Sequence, residues 1–60
     1  MRTAVYPDAD DPDVTDVWLD CHGSVGEDGS LAIIYFDTSD IETVYEPTGW
    51  ASFETTNGVV

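Results

Sequence analysis

Asp20, Cys21 and His22 follow one another in the chain and offer a carboxylate, a thiol and an imidazole. These are the side chains of zinc sites and of nucleophilic catalysis, but their spacing suits neither. A structural zinc site takes four ligands, usually from paired motifs, and this chain has one cysteine and one histidine. Neighbouring residues point to opposite faces of a strand, or lie about 100° apart on a helix. Cys21 and His22 therefore do not converge as nucleophile and base, and no third group stands ready to orient them. A buried Cys21 and a surface His22 are expected.

Asp8, Asp10, Asp11 and Asp13 are dense in oxygen, as calcium loops are. An EF-hand loop beginning at Asp8 needs glycine at its sixth position and glutamate at its twelfth; the chain has Asp13 and Leu19 there. The segment reads as an acidic loop in water. Gly23 and Gly26 form no phosphate-binding fingerprint. Carboxylates are so widespread that none is singled out as an acid–base pair. No catalytic residue, metal or cofactor is expected, and the chain does not read as an enzyme.

What the carboxylates do together is more informative. There are 13 acidic residues against one cation, Arg2, for a formal net charge of −12. Small domains are kept soluble by a net charge of magnitude about 2–8, so solubility alone does not account for this value. Self-repulsion opposes compaction, and either high salt or a cationic partner should offset it. Direct binding to DNA or RNA is disfavoured, because it relies on Lys and Arg neutralising phosphates.

The elements that must position these acids belong to one small domain spanning residues 1–60. A chain of this size buries only about 60% of its unfolded surface. One cysteine allows no internal disulfide and suits a reducing cytoplasm. Trp18, Trp50, three tyrosines and two phenylalanines give more core than a disordered acidic chain carries. The longest apolar run, Leu31 to Phe36, is far short of the ~18 residues of a membrane span. The N-terminal residues lack a signal-peptide core, so a cytoplasmic protein is expected.

Thr3–Tyr6 suits a short strand stopped by Pro7. Residues 11–23 are ambiguous. Asp11 as N-cap, Pro12 at N1, Asp13 in the first turn and Gly23 at C′ punctuate a helix. Val14, Val17, Trp18 and Cys21 then share one face, and Asp13, Asp16 and Asp20 form a separate stripe. Read as a strand, the same segment puts Thr15, Val17, Leu19 and Cys21 on one side and Asp16, Trp18 and Asp20 on the other. The helix is preferred, because caps and periodicity agree.

The rest is strand-like. Gly26–Gly29 is a turn, and Leu31–Phe36 a strand apolar on both faces and therefore central. Ser39-Asp40-Ile41-Glu42 matches a capping box, yet Ile41, Thr43, Val44 and Tyr45 favour a strand. Glu46-Pro47-Thr48-Gly49 predicts a type I turn, Trp50–Glu54 a returning strand, and Asn57-Gly58 a last turn before Val59-Val60. The expected fold is α+β and β-rich, a three- to four-stranded antiparallel sheet with one short helix. An all-β meander is the alternative. One tryptophan is expected in the core; the other is a core residue or an interface anchor.

Duplex DNA carries one charge per ~1.7 Å of axis. A carboxylate surface of similar pitch could occupy a groove built for it, with fast association that weakens in salt. The stripe Asp13, Asp16 and Asp20 would be flanked by Asp8/Asp10/Asp11, by Glu27/Asp28 and by Asp37/Asp40/Glu42/Glu46. In size, acidity and near-absence of Lys and Arg, the whole chain resembles the small phage-encoded DNA-mimic inhibitors of the anti-CRISPR and anti-restriction kind. That resemblance implies an inhibitor that blocks DNA entry into a host defence complex, in the host cytoplasm if the chain is phage-encoded; a monomer or homodimer is expected. Two other classes share the charge pattern. One is a halophile-adapted protein kept soluble in brine; the other is an acidic adaptor masking some other basic protein.

Overall fold

A computed structural model describes residues 1–56 and builds them into six strands. These are β1 (Arg2–Tyr6), β2 (Asp16–Leu19), β3 (Cys21–Val25), β4 (Leu31–Tyr35), β5 (Ile41–Tyr45) and β6 (Ser52–Thr56). They form two three-stranded antiparallel sheets, in the orders β2-β1-β6 and β3-β4-β5. The expected α+β fold is overturned: there is no helix among the described residues. The all-β alternative has the right class, but only β3-β4-β5 is a meander; β1 lies between β2 and β6. The turn signal at Asn57-Gly58 and the Val59-Val60 end lie outside the described residues.

The helix at residues 11–23 fails for a local reason and a tertiary one. The cap signals are used, but in two successive turns: Asp11 N–H donates to the Asp8 carbonyl and Val14 N–H to the Asp11 carbonyl, each at 3.2 Å. Beyond them Asp16–Leu19 pairs with β1, Val5 opposite Asp16 and Thr3 opposite Trp18. Pairing and side-chain packing across strands outweigh local helix propensity for a β-branched segment.

Asp20 then turns the chain from one sheet into the other. It is the single residue between β2 and β3 and has φ 59°, a left-handed conformation that Asp tolerates better than most residues. Its N–H donates to the Met1 carbonyl beside the first sheet, and its carbonyl accepts from Phe36 N–H beside the second, both at 2.8 Å. Such a bend is how one strand serves two packed sheets. It also resets the alternation. Val17 and Leu19 face outward, 51% and 69% exposed, whereas Cys21 is buried. The strand reading that put these three on one side held only as far as the bend.

Between the sheets lie Val5, Cys21, Leu31 and Ile33, with Trp18, Tyr45, Trp50 and Phe53 packed around them. The central position expected for Leu31–Phe36 is that of β4. Gly23 is no helix cap; it sits in β3 opposite Ile33, where its missing side chain admits the Phe53 ring. Two of the three predicted turns are present among the described residues: Gly29 N–H bonds to the Gly26 carbonyl at 3.0 Å, and Gly49 N–H to the Glu46 carbonyl at 2.8 Å. The capping-box match starts no helix: Ser39, at φ 64°, and Asp40 end the β4–β5 connection, and Ile41 and Glu42 open strand β5.

Candidate acidic binding surface

Of the 13 acids only Asp16 is half-buried; the other twelve are exposed. Two groups can be traced through hydrogen bonds. Asp20, Asp37, Asp40 and Glu42 gather near the bend, where Phe36 meets Asp20 and Tyr35 N–H meets the Asp40 carbonyl. At the opposite end, Ala51 N–H bonds to the Tyr6 carbonyl and Trp50 Nε1 donates to the Gly29 carbonyl. Those bonds bring together the connections that carry Asp8, Asp10, Asp11 and Asp13, then Glu27 and Asp28, and then Glu46. The helical stripe Asp13–Asp16–Asp20 does not exist. Asp13 is in the turn region, Asp16 is turned toward the core, and Asp20 is the bend.

Asp16 lies on the core face because Val5 is its partner in the register. Its Oδ2 accepts from the Tyr45 hydroxyl at 2.8 Å, and that hydroxyl accepts from Trp18 Nε1 at 3.1 Å. The chain joins β2 to β5 and gives a partly buried carboxylate the donor it needs. It also answers the tryptophan question: both indoles are half-buried and hydrogen-bonded, Trp18 to Tyr45 and Trp50 to Gly29 at 3.0 Å.

All three tyrosines donate to carboxylates. Tyr6 bonds to Glu54 at 3.0 Å, Tyr35 to Glu42, and Tyr45 to Asp16. In a chain with a single Arg and no Lys, neutral phenols supply donors that cations usually supply. Glu54 was not among the residues expected to form the acidic surface, yet it is exposed on β6. Its pairing with Tyr6 spans 48 residues, so no local spacing announces it.

These pairings raise the tyrosine pKa values. For Tyr6 and Tyr35 the hydrogen bond to the carboxylate is the main cause, followed by its charge. For Tyr45 burial comes first and the bond to Asp16 second. An acid whose folded pKa lies above its unfolded value, about 10 for tyrosine, contributes fully below that value. It loses the contribution as pH rises through the folded pKa. The protein is therefore expected to lose stability above pH ~10, with phenolate absorbance appearing later than in the unfolded chain. Phenolate formation at the unfolded value, with no loss of melting temperature, would contradict these pairs.

Asp28 behaves oppositely. The Ser30 hydroxyl and N–H both donate to its Oδ1, at 2.7 and 3.0 Å, and hold its pKa below the ordinary value. This ties Asp28 into the β3–β4 turn. Cys21 is buried, as expected, and its pKa is raised by burial and then by the charges of Glu42 and Asp20. Such a thiol is a poor nucleophile. His22 is half-buried rather than fully exposed, on the opposite side of β3 from Cys21. Among the described residues, no three His, Cys, Asp or Glu side chains converge to hold a metal.

No family model, curated protein or solved structure matches this chain. No helix among the described residues is long and apolar enough to cross a membrane.

Proposed function

We propose that the protein is a non-enzymatic inhibitor that presents its carboxylates to a basic protein surface. The best candidate is the DNA-binding groove of a CRISPR or restriction complex in the host cytoplasm. The observation that carries this reading is the exposure of twelve carboxylates on a domain 30 Å long with one arginine. A duplex of that length bears about 18 phosphates at ~1.7 Å per charge, and the protein brings a net −12. Its charge per unit length is thus about two thirds that of DNA. Occupation of the groove would be competitive, steered by charge and weakened by salt.

The test is displacement of labelled duplex DNA from a panel of purified CRISPR effectors and restriction enzymes. Displacement by at least one of them, falling steeply between about 50 and 200 mM salt, is the expected result. Asn at Asp37 and Asp40, or at Asp8, Asp10 and Asp11, should weaken displacement without unfolding the protein. No displacement from any member, together with cooperative melting only in molar salt, would assign the acidity to a saline habitat instead. The tyrosine donors favour folding at ordinary ionic strength, because they relieve Asp16, Glu42 and Glu54 without added cations.

A further inference from the structure

The outer face of β3-β4-β5 carries apolar side chains that take no part in the core. The register sets Ala32 opposite Val44 and Ile34 opposite Ile41. Phe36 follows β4 directly, in the turn, with its N–H bonded to the Asp20 carbonyl. Ile41, Phe36 and Val44 are 62%, 60% and 54% exposed. A shift between Ile33 and Ile34 makes this face apolar. Thr43 pairs with Ile33, so a regular ladder would set Glu42 opposite Ile34; the irregularity sets Ile41 there instead and leaves Glu42 to bond Tyr35. Bulges commonly re-aim a side chain in this way. Contiguous exposed apolar area on a small domain marks a contact surface.

Charge decides what covers it. Two copies would each bring −12, and acids stand at both ends of the face: Asp20, bonded to Phe36, Asp37 in the β4–β5 connection and Asp40 before β5 at one end, and Glu46 after β5 at the other. They repel a second copy and attract a cationic rim. We propose that Ile34, Phe36, Ile41 and Val44 dock an apolar anchor on a basic protein, whose flanking Lys or Arg side chains meet Asp20, Asp37, Asp40 and Glu46. This rests on the reading above and refines it: the partner is recognised partly by apolar contact, which DNA does not offer it, and part of the binding resists salt.

Two short monomeric peptides of equal charge test this, one alternating Lys with Leu and one alternating Lys with Ser. Each is titrated at about 0.15 M salt into the protein and into a variant carrying Ile41→Thr and Val44→Thr. Threonine keeps the β-branched shape, and a thermal melt checks the fold. The Lys–Leu peptide is expected to bind roughly tenfold tighter than the Lys–Ser peptide. The excess should vanish in the variant while Lys–Ser binding stays. Equal affinities of the two peptides for the unaltered protein overturn the docking face even if the variant fails to fold. Equal affinities, or an excess that survives the substitutions, overturn the docking face and leave the basic-partner reading standing. Binding of neither peptide overturns that reading too. Self-association of the unaltered protein at this salt, lost in the variant, would give the face to a second copy and overturn the proposal.

Discussion

Gly23→Ala should destabilise the protein by about 1–3 kcal/mol, the usual cost of overpacking a core. An added Cβ would lie 2.6 Å from Phe53 Cε2, 2.8 Å from Phe53 Cδ2 and 3.2 Å from Leu31 Cδ1. The Phe53 ring packs against the core and against the Trp50 indole, edge-on at 5.8 Å between centroids, so a retreat from the added methyl disturbs those contacts. A chain of 60 residues has a total stability of only ~3–9 kcal/mol at 0.05–0.15 kcal/mol per residue, so one methyl group could consume a third of it. The double variant Gly23→Ala/Phe53→Leu should lose less than the sum of the two single losses, since they share the same space. Urea melts on the four proteins measure this. Strict additivity would show that the two residues do not meet.

Thr3→Val should cost a similar amount, about 1–3 kcal/mol, for the loss of a buried hydrogen bond whose other partner stays behind. Thr3 is fully buried, the one polar residue in that class among those described. Its Oγ1 donates to the Cys21 carbonyl at 2.7 Å, across the gap between the sheets, and lies 2.8 Å from Thr55 Oγ1. Its only proton is committed to Cys21, so Thr55 is the donor in the second bond. Valine keeps the shape and removes both interactions. Thr55 is exposed and water can replace what it loses, so Thr55→Val should cost much less. The urea midpoint should fall sharply for the first variant and little for the second, with the slope unchanged. Equal shifts would mean that the bond between the sheets contributes nothing special.

Much of the strand content was legible because it is written locally. Leu31–Tyr35 is the central strand of its sheet, as its apolar run implies, although Phe36 lies beyond the strand and is exposed; Gly26–Gly29 and Glu46–Gly49 carry the chemistry of their turns. Trp50–Glu54 was displaced by two residues, to Ser52–Thr56. Trp50 is spent on the Gly29 carbonyl and Ala51 on the Tyr6 carbonyl before the strand begins. Residues 11–23 were misread because caps and turns use the same residue types. What separated them was pairing with β1, which no window of that segment contains. Nor does any local pattern reveal that Asp20 would adopt a positive φ and reverse the alternation.

The surface divides in the same way. Exposure of acidic side chains follows from composition and from the cost of burying charge. The departures do not: Asp16 turned inward to Tyr45, 29 residues away, and Glu54 held by Tyr6. Those depend on which strands become neighbours across the molecule. The exposed Ile41 and Val44 were read simply as strand residues, because the irregularity beside Ile34 that aims Ile41 outward belongs to the pairing.

The position of β1 between β2 and β6 bears on how the protein comes into being. The β3-β4-β5 unit joins neighbours in sequence and needs only short loops to close. The other sheet joins opposite regions of the chain, and Thr3 meets Thr55 across 52 residues. Contacts so distant form slowly, because loop closure must precede any gain from pairing. During synthesis β1 can find β2 early, but its second edge stays bare until residues 52–56 have left the ribosome. Through that interval the nascent chain presents an unpaired strand edge, a template for association with other chains. With only Arg2 to offset the acids that have already emerged, its negative charge protects that edge against other copies of itself.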